Sequence, residues 1–464
     1  MKKKRVLALL MVACMLFALL SACGTDGPTA DAPATDAADS DDADDASDDA
    51  AGAEGTDTSG DVYGEIEVWS FLPQGEVDMY IELYNTINPN VTATHISIPG
   101  DQFMTRVTTA LRSGVNTPDV MLIADNMLGQ LRDTDFLANL SEAPFNAEVY
   151  AAEQVPYVAY FSRDSEGNLR GLSYQSTPGG FWFRKDLARE YLGTDDSEEI
   201  SEMISTWDRM ANVAAEVHAR SDGRISLLDS VSGVTGQLVN QRTEAFVDAD
   251  YNLLPLSFFE DVFATLQLLA EHHADSGLGA WTPAWGAAMY HEESFILLGL
   301  PSWGLHFVIK ANTPEDATDT YNTWGFARSP VGYRAGGTWA AIYANTPNMD
   351  AAWDFTRTIT VDQEYLLMYV ERTGDMVGHI PTIETIIESG FRDSFLGDQD
   401  IYSYLFESAM RVPSLPMTRF DEAIGDAIGA QAALVIDGQI SPREAAENLG
   451  DSVQNMFPEI NIVQ

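Results

Sequence analysis

The chain has 464 residues and a formal net charge of −46, from 71 acidic and 25 basic side chains. After residue 5, lysine occurs only at Lys185 and Lys310, which argues against nucleic acid or anionic lipid headgroups as partners. The charge divides into +4 on residues 1–22, −13 on residues 23–61 and −37 on residues 62–464. Because charge of this kind governs solubility more than it defines a site, we interpret it as a solubility feature, with a specific cationic ligand as the alternative.

The first 22 residues predict a secretory signal peptide. Three lysines and Arg5 precede an apolar run over residues 6–20, and the small residues Ser21 and Ala22 follow it. An apolar run of about 15 residues is shorter than the roughly 20 that a membrane-spanning helix needs. The pattern therefore favours a cleaved signal over a permanent transmembrane helix.

Residues 20–23, LSAC, resemble the lipobox of bacterial lipoproteins. The resemblance implies that the Cys23 thiol receives a diacylglyceryl group and that cleavage makes Cys23 the first residue. Two acyl chains hold a protein stably at a membrane, whereas one chain holds it only marginally. Cys14, the other cysteine, leaves with the signal, so we expect no intramolecular disulfide. An ordinary signal peptide with a chance cysteine is the alternative.

Residues 23–61 predict a disordered acidic tether behind this anchor. From Asp26 to Asp61 the segment carries thirteen acidic residues and no basic one, and it cannot bury enough apolar surface to offset the entropy of ordering it. As a coil it would span roughly 35 Å root-mean-square. The aspartates lack the ligand spacing and turn glycine of an EF-hand loop. We therefore expect neither a metal site nor a cofactor.

The remaining body, at about 400 residues, exceeds the size at which a single hydrophobic core stops growing, which predicts two lobes. Polar and apolar residues alternate over residues 65–69, which predicts a strand. Apolar residues then recur at helical spacing over residues 77–87 and predict a helix that Pro89 ends.

The next elements repeat this order. Alternation over residues 91–98 predicts a second strand, and a helical stripe over residues 103–111 is followed by Gly114 at a C-cap position. The apolar run at residues 118–125 predicts a buried third strand. Strands that alternate with helices are typical of a largely parallel α/β sheet.

Aromatic residues stand near the predicted strand ends, where ligands of open α/β sheets bind. Aromatic faces joined by a few polar groups suit sugar rings, because C–H patches stack on the ring planes while hydroxyls bind amides and carboxylates. A place in the core is the alternative for each of them. The candidates are Trp69, Phe71, Tyr174, Trp182, Trp285, Trp303 and Trp339, which follows the glycine pair Gly336 and Gly337.

Six segments in this order resemble the extracellular solute-binding proteins of sugar ABC importers, the class that includes the maltodextrin-binding proteins. They are GEIEVWSF (64–71), SGVNTPDVMLIAD (113–125), GLSYQSTPGGFWFRKDL (171–187), STWDRM (205–210), SFILLGLPSWGL (294–305) and GGTWAAIYANTPNMDAAWDF (336–355). The resemblance implies a two-lobed α/β fold of the periplasmic-binding-protein type (type II), with the ligand cleft between the lobes. It assigns residues 62–176 and 334–378 to lobe 1, and residues 177–333 and 379–464 to lobe 2.

Matching positions imply the residues of a sugar site in the cleft. Aromatic side chains would provide stacking faces, while Gln102 and Asp125 would hydrogen bond sugar hydroxyls. Ile123 stands where maltodextrin-binding proteins carry a tryptophan, which argues against a maltodextrin ligand. The implied ligand-binding residues are Trp69, Phe71, Gln74, Asp101, Gln102, Asp125, Asn126, Tyr174, Trp182, Trp285, Trp303, Gly337, Trp339 and Arg372.

We therefore expect a monomeric, lipid-anchored binding protein on the outer, extracellular face of the cell membrane. It would capture a sugar or oligosaccharide without catalysis and deliver it to the permease subunits of an ABC importer. A binding protein for a peptide, a polyamine or an iron complex is one alternative, and a secreted glycoside hydrolase is another. The sequence shows no G-x-S-x-G elbow, no P-loop and no H-E-x-x-H pattern.

Overall fold

A computed structural model of the chain describes residues 62–290, 294–314, 317, 322–415 and 418–463. The predicted signal peptide, Cys23 and the acidic tether lie outside the described residues. None of the helices in the described part has both the length and the apolar character needed to cross a membrane.

The described residues contain nine strands in two sheets. The first sheet has the order β2-β1-β3-β9-β4 and the second has the order β6-β7-β5-β8. The strands are β1 (Gly64–Ser70), β2 (Val91–Ser97), β3 (Val120–Ala124), β4 (Leu172–Ser173), β5 (Gly179–Arg184), β6 (Ser226–Leu228), β7 (Phe295–Pro301), β8 (Trp324–Arg328) and β9 (Thr338–Ile342).

Helices cover both sheets. In chain order the α-helices are α1 (Gln74–Ile87), α2 (Gly100–Ser113), α3 (Asp125–Leu131), α4 (Glu148–Ala151), α5 (Pro156–Phe161), α6 (Lys185–Leu187), α7 (Ser197–Met203), α8 (Trp207–Arg220), α9 (Thr235–Val239), α10 (Leu256–Glu271), α11 (Pro283–Ala288), α12 (Met349–Val361), α13 (Gln363–Thr373), α14 (Ile380–Glu388), α15 (Ile401–Met410), α16 (Asp421–Ile436) and α17 (Pro442–Met456). Short π-helical segments span Ala188–Leu192 and Leu305–Lys310, and a 3-10 turn spans Ser232–Val234.

The elements predicted from residue 65 to residue 125 are confirmed. All three strands and both helices form, and Gly114 ends α2 with φ +66°, in the left-handed region that favours glycine. The predicted parallel arrangement holds for β1, β2 and β3. It fails for β9 against both β3 and β4 and for β5 against both β7 and β8. These strands pair antiparallel because the chain returns between the sheets in the opposite direction.

Alternation along β5 shows how the core divides. Phe181 and Phe183 point into a cluster formed with helices α8, α10, α16 and α17. Trp182, between them, points to the other face and joins a second cluster that continues through the first sheet. All three side chains are fully buried, since successive side chains of a strand point to opposite faces.

Three chain segments form the crossover, the region where the two sheets meet. Residues 174–178 lead from β4 to β5, and residues 329–337 lead from β8 to β9. The backbone N–H of Ala335 donates to the carbonyl oxygen of Thr177 at 3.4 Å, so these two segments are hydrogen bonded to each other. Residues 374–379, which follow α13, hydrogen bond to the first segment. The crossover therefore connects the two sheets through segments that are hydrogen bonded to one another.

Candidate ligand-binding site

An ion pair at the crossover links the end of β3 to the second crossover segment. Asp125 is the first residue of α3, and its Oδ2 lies 2.7 Å from Nη1 of Arg334. The same nitrogen donates to the carbonyl oxygen of Gly336 at 3.2 Å, and the guanidinium lies 4.0 Å from the ring centre of Phe161. Both charged side chains keep part of their surface exposed, at 22% for Asp125 and 12% for Arg334. The pair therefore presents polar groups that a ligand can reach.

Trp303 reaches the same crossover segment from the second sheet. It follows β7, and its indole N–H donates to the carbonyl oxygen of Ala335 at 3.0 Å. Gly336 is held at φ +69°, and a Cβ added there would lie 3.5 Å from the indole nitrogen. Asp125 from the first sheet and Trp303 from the second thus converge on residues 334–336.

Three tryptophans form a cluster on this side of the second sheet. We call Trp281, Trp285 and Trp303 the tryptophan cluster. The ring centres of Trp281 and Trp303 lie 6.0 Å apart with an angle of 22° between the planes, and those of Trp281 and Trp285 lie 5.3 Å apart. Trp285 is buried and Trp303 is half-buried, whereas Trp281 is 68% exposed. The cluster therefore offers one large aromatic surface to solvent.

A buried carboxylate, Asp229, accepts a hydrogen bond from the tryptophan cluster. Asp229 directly follows β6, and the indole N–H of Trp285 donates to its Oδ2 at 2.9 Å. Burial raises the pKa of Asp229 to about 6, against the opposing effect of the Trp285 hydrogen bond. Since β6 and β7 are parallel neighbours, their carboxyl ends place Asp229 and Trp303 on the same edge of the sheet.

A second buried carboxylate, Asp375, connects the crossover segments. It accepts hydrogen bonds from the side chains of Gln175 in the first segment, Tyr369 in α13 and Ser302 after β7, and from the backbone N–H of Met376. Burial raises the pKa of Asp375 to about 6, although these hydrogen bonds oppose the shift. Its contacts therefore link the third crossover segment to the first segment and to Ser302, which directly follows β7.

The structure places two predicted stacking residues inside strands, so their prediction as strand-end residues is wrong. Trp182 lies within β5 and Trp339 within β9, and both are fully buried. Their indole N–H groups donate to backbone carbonyls, that of Pro301 at 3.1 Å and that of Val158 at 3.2 Å. The strands begin at or just after the glycine pairs that the sequence suggested were turns. These rings fill the core and present no face on which a sugar can stack.

Trp69 and Tyr174 are also buried, at 3% exposure each. Trp69 lies within β1, where the guanidinium of Arg106 covers its ring at 4.9 Å. The Tyr174 hydroxyl lies 3.2 Å from that of Tyr80, and its ring packs edge-on against Tyr369. Side chains of the protein therefore cover both rings in this structure.

Other predicted residues form a separate group at the starts of α1 and α2. Phe71 packs edge-on against Phe103, and Gln74 is exposed with its amide donating to Asp78 at 2.7 Å. Two further predicted residues in the first turn of α2 are exposed at a groove that also contains Trp69 and Arg106: Asp101 and Gln102.

The last three predicted residues have different surroundings. Asn126 follows Asp125 and donates to Glu422 of α16 at 3.4 Å. Gly337 has φ +113°, and a Cβ there would come within 2.9 Å of the Trp339 ring, so this position requires glycine. Arg372 is exposed in the last turn of α13.

Sequence reasoning missed Trp281 and Arg334. Trp281 lies in the segment WTPAW, where only Trp285 was identified as a candidate. A signal was present, because Gly277 and Gly279 precede Trp281 and a Thr-Pro pair that begins α11 follows it. Such a neighbourhood predicts a turn on the surface. Arg334 carried no comparable signal.

The described residues contain no group of three or more His, Cys, Asp or Glu side chains that could hold a metal ion. Both lysines of the body are engaged within the protein: Lys185 donates to Asn322 at 2.6 Å and Lys310 pairs with Asp393 at 2.6 Å. The groups at the candidate site are the rings of the tryptophan cluster, the Asp125–Arg334 ion pair and the backbone carbonyls of residues 335 and 336.

Solved structures with the same architecture define the class of the fold. The sugar-binding protein MalE from Xanthomonas citri is 17% identical, with 85% of this chain and 98% of that chain covered and a TM-score of 0.68. The GacH receptor of Streptomyces glaucescens, solved unliganded and with acarbose, is 16% identical, with 86% and 100% covered and a TM-score of 0.66. The cyclic alpha-maltosyl-1,6-maltose binding protein from Arthrobacter globiformis is 16% identical, with 84% and 98% covered and a TM-score of 0.62.

These likenesses confirm the predicted two-lobed solute-binding fold. The chain belongs to the family of bacterial extracellular solute-binding proteins, whose family model matches residues 70–364. The resemblance inferred from the six sequence segments is thereby confirmed. No curated protein sequence matches the chain.

Proposed function

We propose that this protein captures a sugar or oligosaccharide extracellularly and delivers it to the permease of an ABC importer, without catalysing a reaction. The observation that carries the proposal is the meeting of the tryptophan cluster with the Asp125–Arg334 pair at residues 334–336. Stacking faces beside charged and carbonyl groups match the two needs of a sugar, an aromatic plane for its C–H patches and partners for its hydroxyls.

Lobe 1 then comprises residues 62–176 and 334–378, and lobe 2 comprises residues 177–333 and 379–464. The ligand enters between them, and the lobes close by bending at the crossover. A ligand shifts the balance between open and closed forms only by its differential affinity for the two. The permease, in this proposal, engages the closed, liganded monomer.

A thermal-shift screen of the chain from residue 24 onward tests the ligand class. The panel contains oligosaccharides, peptides, polyamines and iron complexes. A ligand at 100 times its dissociation constant adds about 2.7 kcal/mol of stability, a shift of a few degrees. We expect stabilisation by one class of sugar, with the sugar recovered intact by mass spectrometry. Stabilisation by only a peptide or a cation would refute the sugar assignment, and a hydrolysed sugar would identify a glycoside hydrolase.

The membrane anchor is proposed from the lipobox resemblance, and Cys23 lies outside the described residues. Cys23→Ala removes the acylated thiol while leaving the folded body unchanged. In a bacterial host we expect the unaltered protein in the membrane fraction and the variant in the medium or the soluble extracellular fraction. Equal distribution of the two proteins would contradict the anchor.

A further inference from the structure

Trp281 is the most exposed tryptophan of the described residues. Its side chain is 68% exposed, whereas each of the other eight tryptophans in the chain is buried or half-buried. A large apolar ring left in water normally marks a site for a ligand or partner when it belongs to an aromatic patch. Trp281 belongs to such a patch, since it stacks on Trp303 and also contacts Trp285.

The backbone holds Trp281 in an unusual conformation. Its φ is +66°, in the left-handed region that residues with a Cβ rarely adopt. The next residue, Thr282, fixes the turn, because its hydroxyl donates to the Gly279 carbonyl at 2.8 Å and accepts from the Trp285 N–H at 3.3 Å. Strained positions of this kind persist where surrounding structure imposes them, and they concentrate at functional sites.

Each neighbour of Trp281 is anchored by a hydrogen bond from its indole N–H. The Trp303 indole is fixed to Ala335 and the Trp285 indole to Asp229. Trp281 therefore packs on two hydrogen-bonded indole rings, while most of its own ring is exposed to water. The planes of Trp281 and Trp303 differ by only 22°, so the exposed Trp281 ring, stacked on the half-buried Trp303 ring, extends the aromatic surface from Trp303 into solvent.

We propose that Trp281 provides a further sugar subsite, which makes the protein a receptor for oligosaccharides rather than for monosaccharides. This inference rests on the proposed sugar-binding function and names the size of the ligand. One sugar ring binds at Trp303 beside the Asp125–Arg334 pair. A second ring of the same chain stacks on Trp281, further from the crossover.

The test measures how the dissociation constant depends on the number of sugar units in the ligand. The full chain, purified in a detergent without a sugar headgroup, is titrated with glucose and with the di- to hexasaccharides of the maltose, isomaltose, cellobiose and xylobiose series. The variants are W281A and W281F, and the control is Y251A. Tyr251 is a matched residue, because it is also an exposed aromatic residue in the second lobe with a positive φ, 60°.

We expect one series to bind with an affinity that rises with chain length. W281A should lose about 2- to 10-fold in affinity for the longer sugars of that series, the range expected for one stacking contact. Its affinity for the shortest sugar that binds should stay unchanged. W281F should retain most of the chain-length gain because it keeps an aromatic face, and Y251A should behave as the unaltered protein.

Two other results would overturn the proposal, and they are distinguishable. If the unaltered protein binds a series and W281A shows the same chain-length dependence, the Trp281 subsite is wrong while the sugar-binding function stands. If no sugar of any series binds the unaltered protein, the sugar-binding function fails and the subsite fails with it.

Discussion

The tryptophans of this protein divide into two regions that the sequence alone does not separate. Trp182 and Trp339 lie within strands, are fully buried and donate their N–H groups to backbone carbonyls. Trp281 and Trp303 lie in turns at the edge of the second sheet, with aromatic surface facing solvent. The comparison teaches that an aromatic residue near a glycine pair or a strand end is not by itself a ligand contact. Position within the strand and the face to which the side chain points decide its role.

The largest expected effect on stability comes from truncating Trp182, one of the two buried tryptophans. Trp182→Ala removes a fully buried ring that packs edge-on against Phe326 at 4.8 Å, and it leaves a cavity in the core. Loss of a buried tryptophan costs about 3–5 kcal/mol of unfolding free energy. Chemical denaturation of W182A and W281A measures the contrast, since W281A should lose less than about 0.5 kcal/mol. Equal losses in the two variants would mean that the division into core and surface tryptophans is wrong.

A second prediction concerns pH and the carboxylates that support the two regions. Asp229 and Asp375 have pKa values raised to about 6 by burial. Their contribution to stability is therefore fully present below the pKa of an unfolded carboxyl and is lost as pH rises through about 6. Two pKa units correspond to about 3 kcal/mol for each group. Hydrogen bonds from Arg163 lower the pKa of Glu148, so acid below about pH 4 removes a stabilising contribution instead.

The stability contributed by Asp229 and Asp375 should accordingly decline between about pH 4 and pH 7 and change little from there to pH 8, as measured by thermal unfolding across this range. Asp229→Asn tests the cause, because the amide oxygen still accepts from Trp285 but the group no longer ionises. We expect D229N to lose less stability between pH 5 and pH 8 than the unaltered protein. Identical pH profiles would show that Asp229 is not responsible.

A smaller effect on stability than that of Trp182→Ala is expected at the ion pair beside Trp303. Asp125→Asn weakens the contact with Arg334 and should cost about 1 kcal/mol of unfolding free energy, since both groups are partly exposed. If the pair binds sugar hydroxyls, ligand affinity should fall by about tenfold as a charged hydrogen bond is lost. Glu148→Gln is the matched control, because it weakens the Arg163 pair away from the site. A D125N protein that binds its sugar as tightly as E148Q would remove Asp125 from the site.

Much of the fold was predictable because it follows from local patterns. Alternation over residues 65–69 and 91–98 and helical spacing over 77–87 reflect one buried face, and the structure has these elements where the patterns predicted them. The antiparallel pairing of β9 with β3 was not predictable in this way, because strand pairing depends on how the chain returns between the lobes.

The candidate site was predictable in part. Asp125, Trp285 and Trp303 follow strand ends or begin short helices, as the sequence suggested, and they come together. Trp182 could not be distinguished from them, because the glycines before it suit a turn as well as a strand start. The left-handed backbone of Trp281 and the stacking of its ring depend on tertiary contacts that no local pattern encodes.

The central claim is that ligand binds at the tryptophan cluster, and calorimetric titration of Trp303→Ala tests it most directly. The ligand is the sugar that most stabilises the unaltered protein, and the control is Trp207→Ala, a half-buried tryptophan whose N–H donates to Gln241. We predict that W303A loses affinity by about 30-fold or more, the effect of truncating a central aromatic contact, while W207A binds normally. Unchanged affinity in W303A would contradict the account and move the binding site elsewhere in the protein.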